Sequence, residues 1–166
     1  FMIQLDHNAT TPITEAVFEA MVPFFTTDQG NASSDHAAGR VARDAIALAR
    51  AQVASLIGAQ PDEIVFTSGA TESSNLAIYG SAKASTRRHV ATTPIEHIAT
   101  LAPCQDLVQR GYDLSFLDVD PSGCVVTSTV PEMLREDTLL VSIMHANNET
   151  GSVQNVAEVA EADVSV

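Results

Sequence analysis

The run Leu139-Leu140-Val141-Ser142-Ile143-Met144 constrains this chain more than any other stretch. It is apolar on both sides of the pleat, which suits a strand covered on both faces, as in a parallel sheet between layers of helix. Similar β-rich runs predict strands at 63–67, 88–93 and 113–118, besides 138–144 itself. Helical spacing predicts helices at about 71–82, 98–110 and 131–135, with a helical tail after Gly151. The order β-α-β-α-β-α-β calls for an α/β fold of three layers, αβα, with a mostly parallel sheet and right-handed crossovers.

Ahead of these lie two more predicted helices. Residues 13–25 read as a short amphipathic helix interrupted by Pro23. After a loop at 27–36, residues Val41, Ala45, Ile46, Leu48, Ala49, Val53 and Leu56 recur at helical spacing over 37–57, and Gly58 supplies a stop.

In open sheets of this kind ligands bind beyond the carboxyl ends of the strands. Three predicted strands end there in polar clusters: SGATES (68–73), IEH (95–97) and HANNETG (145–151). Each has two readings. A turn through Gly69 into a helix leaves the N–H groups of Ala70 and Thr71 free at the positive end of the helix dipole, which makes an anion site. Gly69 permits close approach or a positive φ. The GK[ST] of a nucleoside-triphosphate loop is missing, as is a GxGxxG turn. Equally, Ser68 or Thr71 caps the helix, with Glu72 in its first turn. His97 either stacks on a flat ring and moves protons near neutral pH, or is a satisfied structural histidine. Asn147 and Asn148 bond a ligand's phenolate or fix the loop's own backbone.

At 166 residues the chain is about one domain long, and its net charge is −13. Lys83 is the only lysine, against seven arginines, so nucleic acid is not expected as a direct partner. No run of about 18 apolar residues is present, so no membrane span is predicted. FMIQLDHNATTP lacks the pattern of a signal peptide. Cys104 and Cys124 lie outside any metal-binding spacing and read as free thiols of a cytoplasmic protein.

Five segments carry a resemblance. LDHNATTP (5–12), GNASSDHAAGR (30–40), EIVFTSGATESSNLAI (63–78), IEH (95–97) and VSIMHANNETG (141–151) closely resemble the N-terminal part of cysteine desulfurases, in order and spacing. These are pyridoxal 5'-phosphate enzymes of the class V aminotransferase group, of fold type I. The resemblance implies that 1–12 is an N-terminal arm near the active-site entrance. It implies that 13–166 is part of the large cofactor-binding domain, without its C-terminal half and the small domain. It implies that Ala70 and Thr71 hold the cofactor phosphate, that His97 stacks on the pyridine ring and helps proton transfer, and that Asn148 bonds the phenolic oxygen. The loop GNASSDH would lie beside the substrate site. The implied reaction takes sulfur from L-cysteine, leaving L-alanine and an enzyme cysteine persulfide. That sulfur would feed iron–sulfur cluster assembly or tRNA thiolation through an acceptor or scaffold protein, in a cytoplasmic homodimer or with a complementing chain.

The family's aspartate partner of the pyridine nitrogen, its cofactor-anchoring lysine and its catalytic cysteine match no position here. Lys83 lacks the Ser-His-Lys setting, and Cys104 and Cys124 do not match the nucleophile. The isolated 166-residue chain is therefore expected to have no desulfurase activity. A truncated non-catalytic relative serving as a binding or interaction module, and another class V enzyme such as selenocysteine lyase, stay open as alternatives.

Overall fold

The computed structural model describes residues 3–163, in two units divided between Phe66 and Thr67. The first two residues of the expected arm and the last three of the expected helical tail lie outside the described residues.

The first unit carries α1 (Glu15–Thr26) and α2 (Ala37–Ile57), followed by a 3-10 turn at Pro61–Glu63. The interruption expected at Pro23 does not occur: α1 runs through it. Pro23 falls in the last turn, where its missing N–H forfeits a single main-chain bond. Its own carbonyl accepts the N–H groups of Thr27 and Asp28, each within 2.9 Å. The second helix spans the residues predicted. His36 caps its start, with Nδ1 accepting from the Gly39 N–H at 3.3 Å. Gly58 ends it at φ 72, and Ala59 N–H reaches back to Ala54 O at 2.9 Å, closing the last turn.

The strand expected at 63–67 is not formed. Ile64 has extended backbone (φ −94, ψ 124), but 64–67 pair with no strand among the described residues. The Ile64 carbonyl is taken by Arg50 Nε at 3.2 Å, and the same guanidinium sits 5.4 Å from the centre of the Phe66 ring. A side chain from α2 thus bonds a carbonyl that a ladder would have used.

The second unit holds the sheet. Strands β1 (His89–Thr92), β2 (Asp113–Phe116) and β3 (Thr138–Ser142) pair in parallel in the order β2-β1-β3. Val90 stands opposite Leu114 on one side and Leu140 on the other, with Leu139 an extra residue in β3. Helices α3 (Ala70–Ala84), α4 (Ile98–Gln109), α5 (Val130–Met133) and α6 (Val156–Asp163) complete the unit.

Strand alternation sorts the side chains into two layers. Val90, Leu114 and Leu140 pack with Ile78 of α3 and with Cys104 and Leu107 of α4. Ala91 and Val141 pack with Val130 of α5, Leu134 and Val159 of α6. Fully burying a side chain such as Ile78, Val90, Leu107 or Val130 contributes roughly 1.5–3 kcal/mol. The expected three-layer αβα arrangement is what results. His89 ties the three strands at their amino ends, with Nδ1 2.8 Å from Thr138 Oγ1 and Nε2 2.9 Å from Ser115 Oγ. Burial, with the Arg135 charge adding to it, lowers its pKa. Among the described residues no helix is long and apolar enough to cross a membrane.

Candidate functional site

The helices α3 and α4 lie side by side on one face of the sheet. Tyr79, the tenth residue of α3, donates its hydroxyl to Asp106, the ninth residue of α4, at 2.8 Å. Both helices return the chain toward the amino ends of the strands, so their own N-termini stand about level at the carboxyl end. Ala70 opens one and His97 caps the other.

His97 ends the short loop that joins β1 to α4. Its Nδ1 accepts the Ala99 N–H at 3.1 Å. With Nδ1 occupied as an acceptor, the neutral ring carries its proton on Nε2. The side chain is exposed, so His97 is at once a structural cap and a ring with a donor free to face a ligand.

The preceding residue is built the opposite way. Glu96 is 9% exposed, and its carboxylate accepts the Met144 N–H and, at 3.4 Å, the Thr93 hydroxyl. Burial pushes its pKa up, against those two bonds.

Of the two roles the sequence left open for Asn147 and Asn148, the structure shows one. Asn147 is 8% exposed and fixes the backbone: Nδ2 donates to Ile95 O at 3.0 Å, while Oδ1 accepts the N–H groups of Glu149 and Thr150 at 2.8 and 2.9 Å. Asn148, one residue on, is exposed. The excursion from His145 to Gln154 closes as a narrow hairpin through the Ala146–Val153 bridge. Buried Gln154 anchors its base, accepting the Val125 N–H at 2.8 Å and donating to Gly123 O at 2.7 Å.

An open cleft of about 410 Å³ lies between these loops, lined by residues 94–98 and 147–150. His97 and Asn148 therefore share one wall system, while Ala70 and Thr71 are not part of that lining.

At the start of α3, Gly69 adopts extended backbone (φ 162) in place of the left-handed one its glycine would allow. A Cβ there would meet nothing within 4 Å, so the space over the turn is open. No side chain caps α3, so the cap expected from Ser68 or Thr71 is not formed; instead Glu72 Oε2 accepts the Ser68 N–H at 2.8 Å and the Ser68 hydroxyl at 2.6 Å, which holds its pKa below the ordinary glutamate value. The first-turn N–H groups of Ala70 and Thr71 have no intrahelical acceptor, and both residues are exposed.

The remaining reactive groups stand apart. Lys83 is in the last turn of α3, thirteen residues beyond Ala70, or about 20 Å along the axis. Cys104 is buried in the α3–α4 layer, where burial first and the Glu96 charge second push its thiol up to about 11. Sequence reasoning placed Glu72 in the first turn without its bonds to Ser68, and passed over Glu96 and Gln154. An acid between apolar Ile95 and a strand-end histidine was a signal for Glu96. Gln154 left none.

Residues 3–163 match the sequence profile of the aminotransferase class-V family. The putative cysteine desulfurase IscS 1 of Bacillus subtilis is 50% identical over 161 residues, which is 96% of this chain and 42% of that protein. Cysteine desulfurase IscS of Dictyoglomus turgidum is 47% identical over 161 residues, 96% of this chain and 41% of that protein. Among solved structures, a NifS-like protein matches with a TM-score of 0.91 at 40% identity, over 95% of this chain and 44% of that one. SspA in complex with cysteine matches at 0.91 and 38% identity, over 96% and 47%. The chain thus spans about two-fifths of the length of these curated relatives. A parallel sheet with helices on both faces, two helix starts and an amide-bearing hairpin at its carboxyl end, and a family profile running from residue 3 to residue 163 lead to one conclusion: the chain belongs to the aminotransferase class-V family.

Proposed function

We propose that the protein containing this chain is a pyridoxal 5'-phosphate-dependent cysteine desulfurase, and that this chain supplies the cofactor's phosphate, ring and phenolate contacts. The observation that carries the reading is the pairing of His97 and Asn148 on one cleft at the carboxyl end of β1 and β3. The residues present fit the group. The space over Gly69 is open beside two N–H groups at a helix N-terminus, which suits a phosphate. The Nε2–H of His97 and the side-chain amide of Asn148 suit a flat ring with an anionic oxygen. When bound, the cofactor supplies an electron sink for an amino-acid substrate.

In this reading Ala70 and Thr71 hold the phosphate, His97 covers the ring and passes a proton through Nε2, and Asn148 donates to the phenolic oxygen. The anchoring lysine and the sulfur-accepting thiolate come from sequence outside residues 1–166. Lys83 is about 20 Å down α3, and a buried thiol pushed up to about 11 is a poor nucleophile at neutral pH. The products are L-alanine and a cysteine persulfide, which passes its sulfur to an acceptor or scaffold protein for iron–sulfur cluster assembly or tRNA thiolation. The reading keeps the residues up to 12 as an arm and the rest as part of the cofactor domain of a cytoplasmic homodimer. Two free thiols are in keeping with a reducing compartment.

The test has two arms. The 166-residue chain is titrated with pyridoxal phosphate by equilibrium dialysis, and His97→Ala, Asn148→Ala and Thr71→Ala should each weaken binding. The complete protein is then given L-cysteine and a thiol reductant to release the persulfide sulfur, and alanine and sulfide should form in equal amounts. Binding indifferent to all three substitutions, or a complete protein that releases no alanine from cysteine, overturns the proposal.

A further inference from the structure

Behind the residues assigned to the cofactor, we propose that Glu96 and Asn147 are positioning residues: they clasp the loop after β1 to the hairpin after β3, and so fix His97 against Asn148. The value of that spacing to the cofactor rests on the function proposed above; the clasp itself does not.

The two bonds are reciprocal. Glu96, on the first loop, accepts the backbone N–H of Met144 at the root of the second. Asn147, on the second loop, donates to the backbone carbonyl of Ile95 on the first at 3.0 Å. Each therefore joins segments about fifty residues apart in sequence. Both side chains are buried, at 9% and 8% exposure, and their exposed successors are His97 and Asn148. Successive Cα atoms are held about 3.8 Å apart by the peptide unit, so a loop pinned at 96 or 147 pins its neighbour. His97 is further held through Nδ1 to Ala99, which prevents ring rotation from undoing the placement.

Burial raises the cost of keeping Glu96 ionised, and nothing in the tether itself needs a charge. A glutamine at 96 retains an oxygen to accept the Met144 N–H, whereas an alanine does not. That difference separates a clasp from a general contribution to stability.

Amide hydrogen exchange on the whole 166-residue chain reads it. In Asn147→Ala, exchange should rise about tenfold not only at Glu149 and Thr150, its own partners, but across the clasp at Ala99 and Leu101, both bonded to His97. In Glu96→Ala it should rise similarly at Glu149 and Thr150, on the opposite loop, and Glu96→Gln should restore the wild-type rate. Ala91 in β1 should stay within twofold throughout. Quickening confined to the mutated loop, or an equal rise at Ala91, overturns the clasp.

A second measurement addresses its purpose. The ratio of affinities for pyridoxal phosphate and its 3-deoxy analogue should fall in Glu96→Ala and return in Glu96→Gln, because only the first ligand uses Asn148. A wild-type chain that binds neither ligand removes the cofactor reading, while the exchange rates still decide the clasp.

Discussion

The two halves of the candidate site are built by different physics. At the start of α3 the bonds are local: Ser68 to Glu72 and Thr67 to Ser73, at most six residues apart and all exposed. At the His97–Asn148 cleft local bonds are joined by long-range ones from buried side chains, reaching from Glu96 to Met144, from Asn147 to Ile95 and from Gln154 to Gly123. A local exposed bond is shielded little from water and competes with it, so its net value is small. A buried polar tether, once cut, strands its partners without water, and the full desolvation cost appears. The half proposed for the phosphate is thus set by a helix start that forms from its own sequence. The half proposed for the ring exists only when the sheet has assembled.

The sharpest way to break that contrast is Asn147→Ala. It removes the acceptor of two N–H groups and the donor to Ile95 O, and should cost about 3 kcal/mol of stability. The urea midpoint measures it. Glu72→Gln, which keeps an oxygen for Ser68, should move the midpoint by much less. Equal shifts for the two would erase the distinction. Next in size is Gln154→Ala, which frees Val125 N–H and Gly123 O but leaves the Ile95 bond intact. It should cost about 2 kcal/mol by the same measurement. A loss larger than that of Asn147→Ala would move the hairpin's main anchor to its base.

The same division decided what could be read in the sequence. Periodicity and a glycine stop delimited α2 at 37–57, because both are written within one turn of the helix they control. The SGATES turn was legible as a helix start for the same reason. The three strands were found, but the fourth expectation, at 63–67, failed, since a strand is defined by a partner that its own residues do not name. There the carbonyl of Ile64 went to Arg50, fourteen residues upstream. Asn147 and Asn148 are identical in type and adjacent, and only the fold assigns the buried structural role to one and the exposed position to the other. The resemblance to cysteine desulfurases pointed to Asn148 without supplying that physical reason.

The smallest effect gives the two halves opposite signs. The carboxyl of Glu96 is raised by burial, so the folded chain holds its proton in a range where the unfolded chain has lost it. Its contribution to stability is greatest near and below pH 4.5 and falls as pH rises through the folded value. Glu72 is lowered by its two bonds to Ser68, so its contribution is present above pH 4.5 and is lost as pH falls through its folded value. His89, held below 6.5 by burial, adds a loss as pH drops from 6.5, and it does so in every variant carrying it. Urea midpoints from pH 3 to 7 should therefore change slope in opposite directions for the two substitutions. Glu96→Gln should lift the neutral end relative to wild type, and Glu72→Gln should lower the neutral end slightly while leaving the acid end unchanged. The amide at 96 keeps the tether to Met144 while removing the charge that burial penalises, so a Glu96→Gln chain that is less stable at neutral pH would mean that the ionised carboxylate is favoured where it sits. Burial would then not be what governs Glu96, and the contrast between a buried half and an exposed half would lose its electrostatic basis.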